Sequence, residues 1–237
     1  MNDDMPIEEK LASLKASLLR SFDIGDLRSR NEVAHKWKAT YRSLLLREAV
    51  FWRLEDLLQQ SYVLHKMRHT LGALILLRSA LETLATLIYL NRLTASVLDG
   101  TLNFNTFSDK TAVLLLGSRN NPAGPRALSI VTVLQKCAKK WDFIEKFYAD
   151  LSECAHPNHE GLIWGYSRAD RENYIENFAN HWSAMYSKTY ESKLSVVIMM
   201  FEHEYNDEWE RQFIALEEWL VKNDAELEAT KPISPAN

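Results

Sequence analysis

Arg30, Asn31 and His35 are the first residues in the chain whose types and spacing suit a reaction. They stand in the run Arg30-Asn31-Glu32-Val33-Ala34-His35. On a helix Asn31 and His35 are four residues apart and share a face, and a long arginine side chain can swing toward the same point. An imidazole serves as general acid or base near neutral pH. A guanidinium holds a phosphate and stabilises the charge that grows on it. Cleavage of RNA through its own 2′-hydroxyl needs little more than such a pair, and no metal. The plain alternative is a solvated helix start, with Arg30 and Glu32 facing water and His35 beside Trp37.

A second polar group is split between two distant segments. Arg78 and Glu82 are one helical turn apart and can pair along a helix. His156 and Asn158 flank Pro157, whose ring stiffens the turn and fixes the direction of its neighbours. If this turn docks over the helix that carries Arg78, then Arg78, Glu82, His156 and Asn158 line one cleft able to take a ligand. The alternative is an Arg78–Glu82 ion pair with a structural duty, whose worth depends on burial.

The Arg-x₄-His run, with a polar residue directly after the arginine, resembles the signature of the HEPN superfamily of helical-bundle proteins. Many of its members are metal-independent ribonucleases. The resemblance implies His35 as acid/base, Arg30 as phosphate clamp with Asn31 beside it, RNA or a nucleotide as ligand, a toxin or anti-phage setting, and a homodimer whose sites are shared across a two-fold axis. A broader likeness covers roughly residues 45–205. Leu77-Arg78-Ser79-Ala80-Leu81-Glu82 and Leu151-Ser152-Glu153-Cys154-Ala155-His156-Pro157-Asn158 are similar to segments of a poorly characterised, HEPN-like family of bacterial helical proteins. No arginine stands four to six residues before His156, so this second group is expected to bind rather than cleave. The alternative function is therefore a non-catalytic ligand-binding or protein-interaction module built on Arg78, Glu82 and His156.

Other candidate ligating groups are sparse. His65 and His69, and His156 and His159, have helical spacing, but neither pair has the further ligands that zinc needs. Cys137 and Cys154 lack metal-ligand spacing and are expected to be reduced thiols of a cytoplasmic protein. No metal and no cofactor is expected. A formal net charge of −4 excludes a broadly basic nucleic-acid-binding surface, so any phosphate site must be local.

The elements that position these residues read as helices. Only seven glycines and six prolines occur in 237 residues, while 46% of residues are hydrophobic, which favours long helices over many short strands. Apolar periodicity predicts helices over about 6–22, from near Asp26, over 43–66, 70–93, 110–116, 127–139, 141–154, 183–205 and 207–228. In 70–93 the polar or small residues Gly72, Arg78, Ser79, Glu82, Thr83 and Thr86 gather on one arc. Leu71, Leu74, Ile75, Leu77, Leu81, Leu84 and Ile88 fill the rest, as in a central core helix. Arg78 and Glu82 interrupt that apolar run and argue against a membrane span.

Leu162–Tyr166 is the one candidate for an extended segment, and Asn120–Pro125 for an exposed mobile loop. The expected fold is all-α, a bundle of six to eight helices. It forms a single domain over 43–229, with a helical extension at 1–42 and a disordered tail at 230–237.

Overall fold

The computed structural model describes residues 5–118, 120 and 124–231. The centre of the expected mobile loop, and the tail from residue 232 on, lie outside these residues. Among those described, the chain is mostly α-helical: α1 (Ile7–Ala16), α2 (Ile24–Arg30), α3 (Glu32–His35), α4 (Lys38–Lys66), α5 (Thr70–Leu98), α6 (Phe104–Leu116), α7 (Ile130–Cys137), α8 (Ile144–Ala155), α9 (Trp182–Glu202) and α10 (Trp209–Ala229). Ten helices thus stand among the described residues where the apolar pattern predicts nine, and seven of them, α4–α10, lie in the stretch expected to hold six to eight. The number rises because local polar caps cut the pattern. Asp23 caps α2 by accepting from Gly25 N, and Asn31 separates α2 from α3.

Two segments depart from α geometry. His159–Trp164 and His203–Glu208 are π-helical, a wider winding that turns successive side chains onto unusual bearings. The expected extended segment Leu162–Tyr166 therefore begins inside a helical turn. The strands lie just beyond it: β1 (Ser167–Asp170) pairs antiparallel with β2 (Ile175–Phe178), Ser167 opposite Phe178. Asp170 closes the hairpin by accepting from the backbone N–H groups of Glu172 and Asn173, each at 3.1 Å, and Tyr174 takes a left-handed φ of 57°. That turn chemistry, rather than β-forming residues, makes the hairpin.

The chain divides into two compact units. One comprises the stretch up to Leu18, Phe51–Ala85 and Leu134–Phe201; the other comprises Leu19–Val50, Thr86–Val133 and the stretch from Glu202 on. The first is built on α5, where Ala73, Leu74, Leu77, Ala80, Leu81 and Leu84 have no exposed surface. Around them pack Leu54 and Leu58 of α4 and Tyr190, Leu194 and Val197 of α9, all equally buried. The expected apolar arc of α5 is therefore core at Leu74, Leu77, Leu81, Leu84 and Ile88, while Leu71 is half-buried and Ile75 is 38% exposed. Helix α5 is long and apolar enough to cross a membrane, yet 56% of that stretch is buried inside the protein, as in a core helix. In the second unit, Phe104 is packed by Trp37 at 5.5 Å and Trp219 at 5.9 Å between ring centroids.

Helix α4 is closed off by Arg68, two residues past its end, whose φ of 62° is left-handed. His69 N donates to Leu64 O at 2.8 Å and Arg68 N to His65 O at 2.9 Å, the paired bonds that close a helix when the residue after its end turns left-handed. That position favours glycine, because a Cβ there crowds the following carbonyl. Arg68→Gly is expected to stabilise the protein by about 0.5–1 kcal/mol, the relief of strain exceeding the added freedom of the unfolded chain. Thermal unfolding measures it, and a lowered midpoint would count against the strain.

Candidate functional site

Asn31 shapes the N-terminal site. Its backbone is extended, with φ −155° and ψ 91°, and its side chain accepts from Ala34 N at 3.0 Å. A short polar side chain ahead of a helix caps it, which occupies the amide oxygen. Asn31 thus starts α3 instead of sharing a continuous helix face with His35. The break leaves Arg30 at the end of α2 and His35 at the end of α3, and Glu217 of α10 joins them.

One carboxylate oxygen of Glu217 pairs with the Arg30 guanidinium, and the other accepts from His35 Nε2 at 2.7 Å. Exposure differs sharply along this chain of contacts. The Arg30 side chain is 53% exposed, Glu217 7% and His35 3%. His35 Nδ1 is buried without a partner, and its ring lies 6.1 Å from that of Phe213. Two further carboxylates of α10, Asp224 and Glu228, bind Lys36 at 2.7 and 2.9 Å. The Lys36 ammonium holds both below the ordinary carboxylate range and is itself raised by them. Glu217, Asp224 and Glu228 are spaced by seven and four, a single helix face. That spacing is the sequence signal for these partners, and it carries no mark of which distant cations it serves.

Beside this triad lies a cavity of about 290 Å³ lined by Arg30, Arg47, Leu27, Leu44, Trp209 and Phe213, with Glu210 and Ile214 at it as well. Nothing in the local sequence singles out Arg47. Its guanidinium carbon lies 3.6 Å from the centre of the Tyr205 ring and 4.4 Å from that of Trp209, and Nη1 donates to Glu48 at 2.6 Å. Tyr205 OH donates to the same carboxylate at 2.9 Å, and Trp209 Nε1 to Ser43 Oγ at 3.2 Å. The π-helical turn His203–Glu208 brings Glu204 and Tyr205, adjacent in sequence, both inward. Glu204 then accepts from Asn91 Nδ2 at 2.8 Å. Arg47 is therefore clamped by aromatic faces and a carboxylate, while Arg30 keeps half its surface. Two guanidinium groups on one cavity supply directed donors for an anion, beside the carboxylates of Glu217, Glu48 and Glu210.

The second predicted group assembles differently. Arg78 and Glu82 are 3.3 Å apart, and Tyr148 of α8 completes them: its hydroxyl accepts from Arg78 Nη2 at 2.7 Å and donates to Glu82 at 3.0 Å. The Arg78 guanidinium also faces the Tyr148 ring at 5.0 Å. His156 is exposed, and no described contact joins it to Arg78 or Glu82. Asn158 caps the π-helical turn by accepting from Gly161 N at 2.9 Å, and donates to Glu153 at 2.5 Å. The structure thus places Tyr148, rather than His156 or Asn158, on the Arg78–Glu82 pair.

His65 sits at the edge of the core beside Tyr190. Its ring stacks on Tyr190 at 4.1 Å, Nδ1 is buried without a partner, and Glu191 lies 3.8 Å from Nε2. Burial pushes its pKa below the ordinary histidine value, outweighing Glu191. The folded pKa is below the unfolded value of about 6.5, so the unfolded chain binds the extra proton. This stability is complete above about pH 6.5 and is lost as pH falls through the folded pKa. The urea midpoint is expected to drop between about pH 7.5 and 5.5, and His65→Gln to flatten that slope. An unchanged slope in the variant would assign the effect elsewhere.

Cys137 and Cys154 are buried and form no disulfide, and burial pushes the Cys154 thiol up. Among the described residues, no group of three or more histidine, cysteine, aspartate or glutamate side chains is placed to hold a metal ion. Comparison of the chain with protein-family models, with curated proteins and with solved structures gives no match.

Proposed function

We propose that this protein binds a phosphate group of RNA or of a nucleotide in the cavity lined by Arg30 and Arg47. In this reading it is a HEPN-like helical bundle in which Glu217, itself held by His35, sets the position of Arg30. The observation that carries it is the pairing of a half-exposed guanidinium with a clamped one on a single cavity. Arg30 offers the N–H groups that a phosphate can take, and Arg47 adds charge without having to be ordered on binding. At 3% exposure the His35 ring is out of a ligand's direct reach, which favours binding over acid/base chemistry.

The test is fluorescence anisotropy with a labelled single-stranded RNA and with a labelled nucleotide, over a range of salt. Arg30→Glu leaves an exposed position polar and is expected to weaken binding at least about tenfold, as loss of a charge-assisted hydrogen bond does. It should also flatten the dependence on salt. Binding untouched by Arg30→Glu overturns the assignment. The Arg30–Glu217–His35 connection favours one second reading, a metal-independent ribonuclease that opens to expose His35. RNA cleavage that persists in EDTA and vanishes in His35→Ala would carry that reading instead. The HEPN-like reading also brings a homodimer in the cytoplasm, and light scattering of the purified chain tests its mass.

A further inference from the structure

A second cavity, about 310 Å³ in volume, lies in the other unit between α8 and α9, lined by Phe143, Lys146, Phe147, Asp150, Ser192, Lys193 and Val196. Its wall is largely apolar, with charged side chains at its edge. Phe143 is 39% exposed, and Phe147 and Val196 are half-buried. Phe143 and Phe147 are four residues apart, so they form one continuous ridge, with ring centroids 6.4 Å apart. Trp141 braces Phe143 edge-on at 6.0 Å.

The charges around this groove are unequal in availability. Lys146 is paired with Asp150 of the same helix at 2.9 Å, so the acid at the groove is already answered. Lys193 is half-buried, its ammonium lies 5.7 Å from the centre of the Tyr186 ring, and no described ion pair gives it a carboxylate. One unanswered ammonium beside an apolar trough calls for a ligand with one anionic end and one apolar chain. The volume stands at the lower end of ligand cavities, which run about 300–1,000 Å³. The α9 wall is a single turn, Ser192–Val196, too short to seat the i, i+3, i+4, i+7 anchors of a docked helix.

We propose that this groove binds a single-chain carboxylate amphiphile, its chain lying on Phe143, Phe147 and Val196 and its carboxylate on Lys193. The lysine stem packs along the chain while its ammonium meets the head group in water, so selectivity comes from charge and affinity from chain length.

Calorimetric titration of the full chain with monomeric dodecanoate tests this, with the octanoate-to-tetradecanoate series for length and dodecanol and dodecyltrimethylammonium for head group. Affinity is expected to rise by up to about fourfold per added methylene, and to level off once the groove is full. Lys193→Glu, with helicity and urea midpoint as its folding controls, is expected to weaken dodecanoate at least about tenfold and to leave dodecanol unchanged. Val196→Asp is expected to abolish binding of both, with helicity and urea midpoint as its folding controls. Absence of dodecanoate binding overturns the proposal, as does equal binding of the cationic amphiphile. So does dodecanoate affinity unchanged in Lys193→Glu.

Discussion

Gly161→Ala is expected to cost about 3 kcal/mol or more, toward or beyond the upper end of what forced overpacking usually costs. A Cβ built on Gly161 would fall on the carbonyl oxygen of His156 and within 3.1 Å of its carbon. The obstruction is main chain, so relief requires undoing the turn. That turn is held by Asn158, whose side chain accepts from Gly161 N and whose carbonyl accepts from Leu162 N, both at 2.9 Å. Gly165→Ala meets a side chain instead: its Cβ would lie 2.7 Å from three atoms of the Trp182 indole. Trp182 is 1% exposed and stacked on Tyr186 at 5.5 Å, so it has little room to retreat, and about 1–3 kcal/mol is expected.

Against a total stability of about 5–15 kcal/mol, either loss is plain in urea unfolding followed by tryptophan emission. An unfolding free energy within about 0.5 kcal/mol of wild type for Gly161→Ala would show that the turn relaxes freely, and would remove the close approach as the reason for that glycine.

The second large effect is expected at Glu217. Arg30, half exposed, regains water when the carboxylate is removed and loses little. His35 does not. In Glu217→Ala its ring stays buried with both nitrogens unpartnered, because Nδ1 already has none. Leaving a buried donor unmade costs about 1–3 kcal/mol, and the truncated side chain adds a cavity beside the ring. We expect about 3 kcal/mol for Glu217→Ala. Glu217→Gln should cost less, since its amide keeps one acceptor for His35 while turning a donor toward Arg30.

A double-mutant cycle isolates the cause. In a His35→Phe background, Glu217→Ala should cost about 1–3 kcal/mol less than in wild type. Simple additivity of the two losses would mean that the carboxylate does not serve the histidine. The same variant reports on the cavity: with Glu217 gone, Arg30 loses its tether, and the affinity it confers should fall even where the fold survives.

Local patterns are legible where the interaction that makes an element lies within a turn of the residue. The arc of Leu74, Leu77, Leu81, Leu84 and Ile88 marks the buried face of α5, since a side chain every three or four residues must lie on one side. Ile75 belongs to that arc by angle and is exposed because no neighbour covers its sector, which periodicity does not encode. Asn31 has the residue type and spacing of a catalytic group, yet its own local chemistry, a short amide before Glu32-Val33-Ala34, marks a cap. The hairpin is hard to see in the sequence because Ser167–Asp170 is poor in β-formers and its turn rests on one aspartate.

Arg30 and His35 mark the limit of sequence reading. The residue types, their nearness and the need for a local basic site are all present in the chain. Their shared partner, Glu217, lies 182 residues beyond His35, and Arg47 reaches the same cavity from a different helix. Likewise the pair Arg78–Glu82 is written into α5, while its third member, Tyr148, comes from α8. Helices, caps and the apolar spine follow from forces acting within about four residues, so the sequence by itself determined them. Which carboxylate buries against which cation, and which cavity an arginine lines, depends on close packing between segments remote in the chain, and only the tertiary structure decided it.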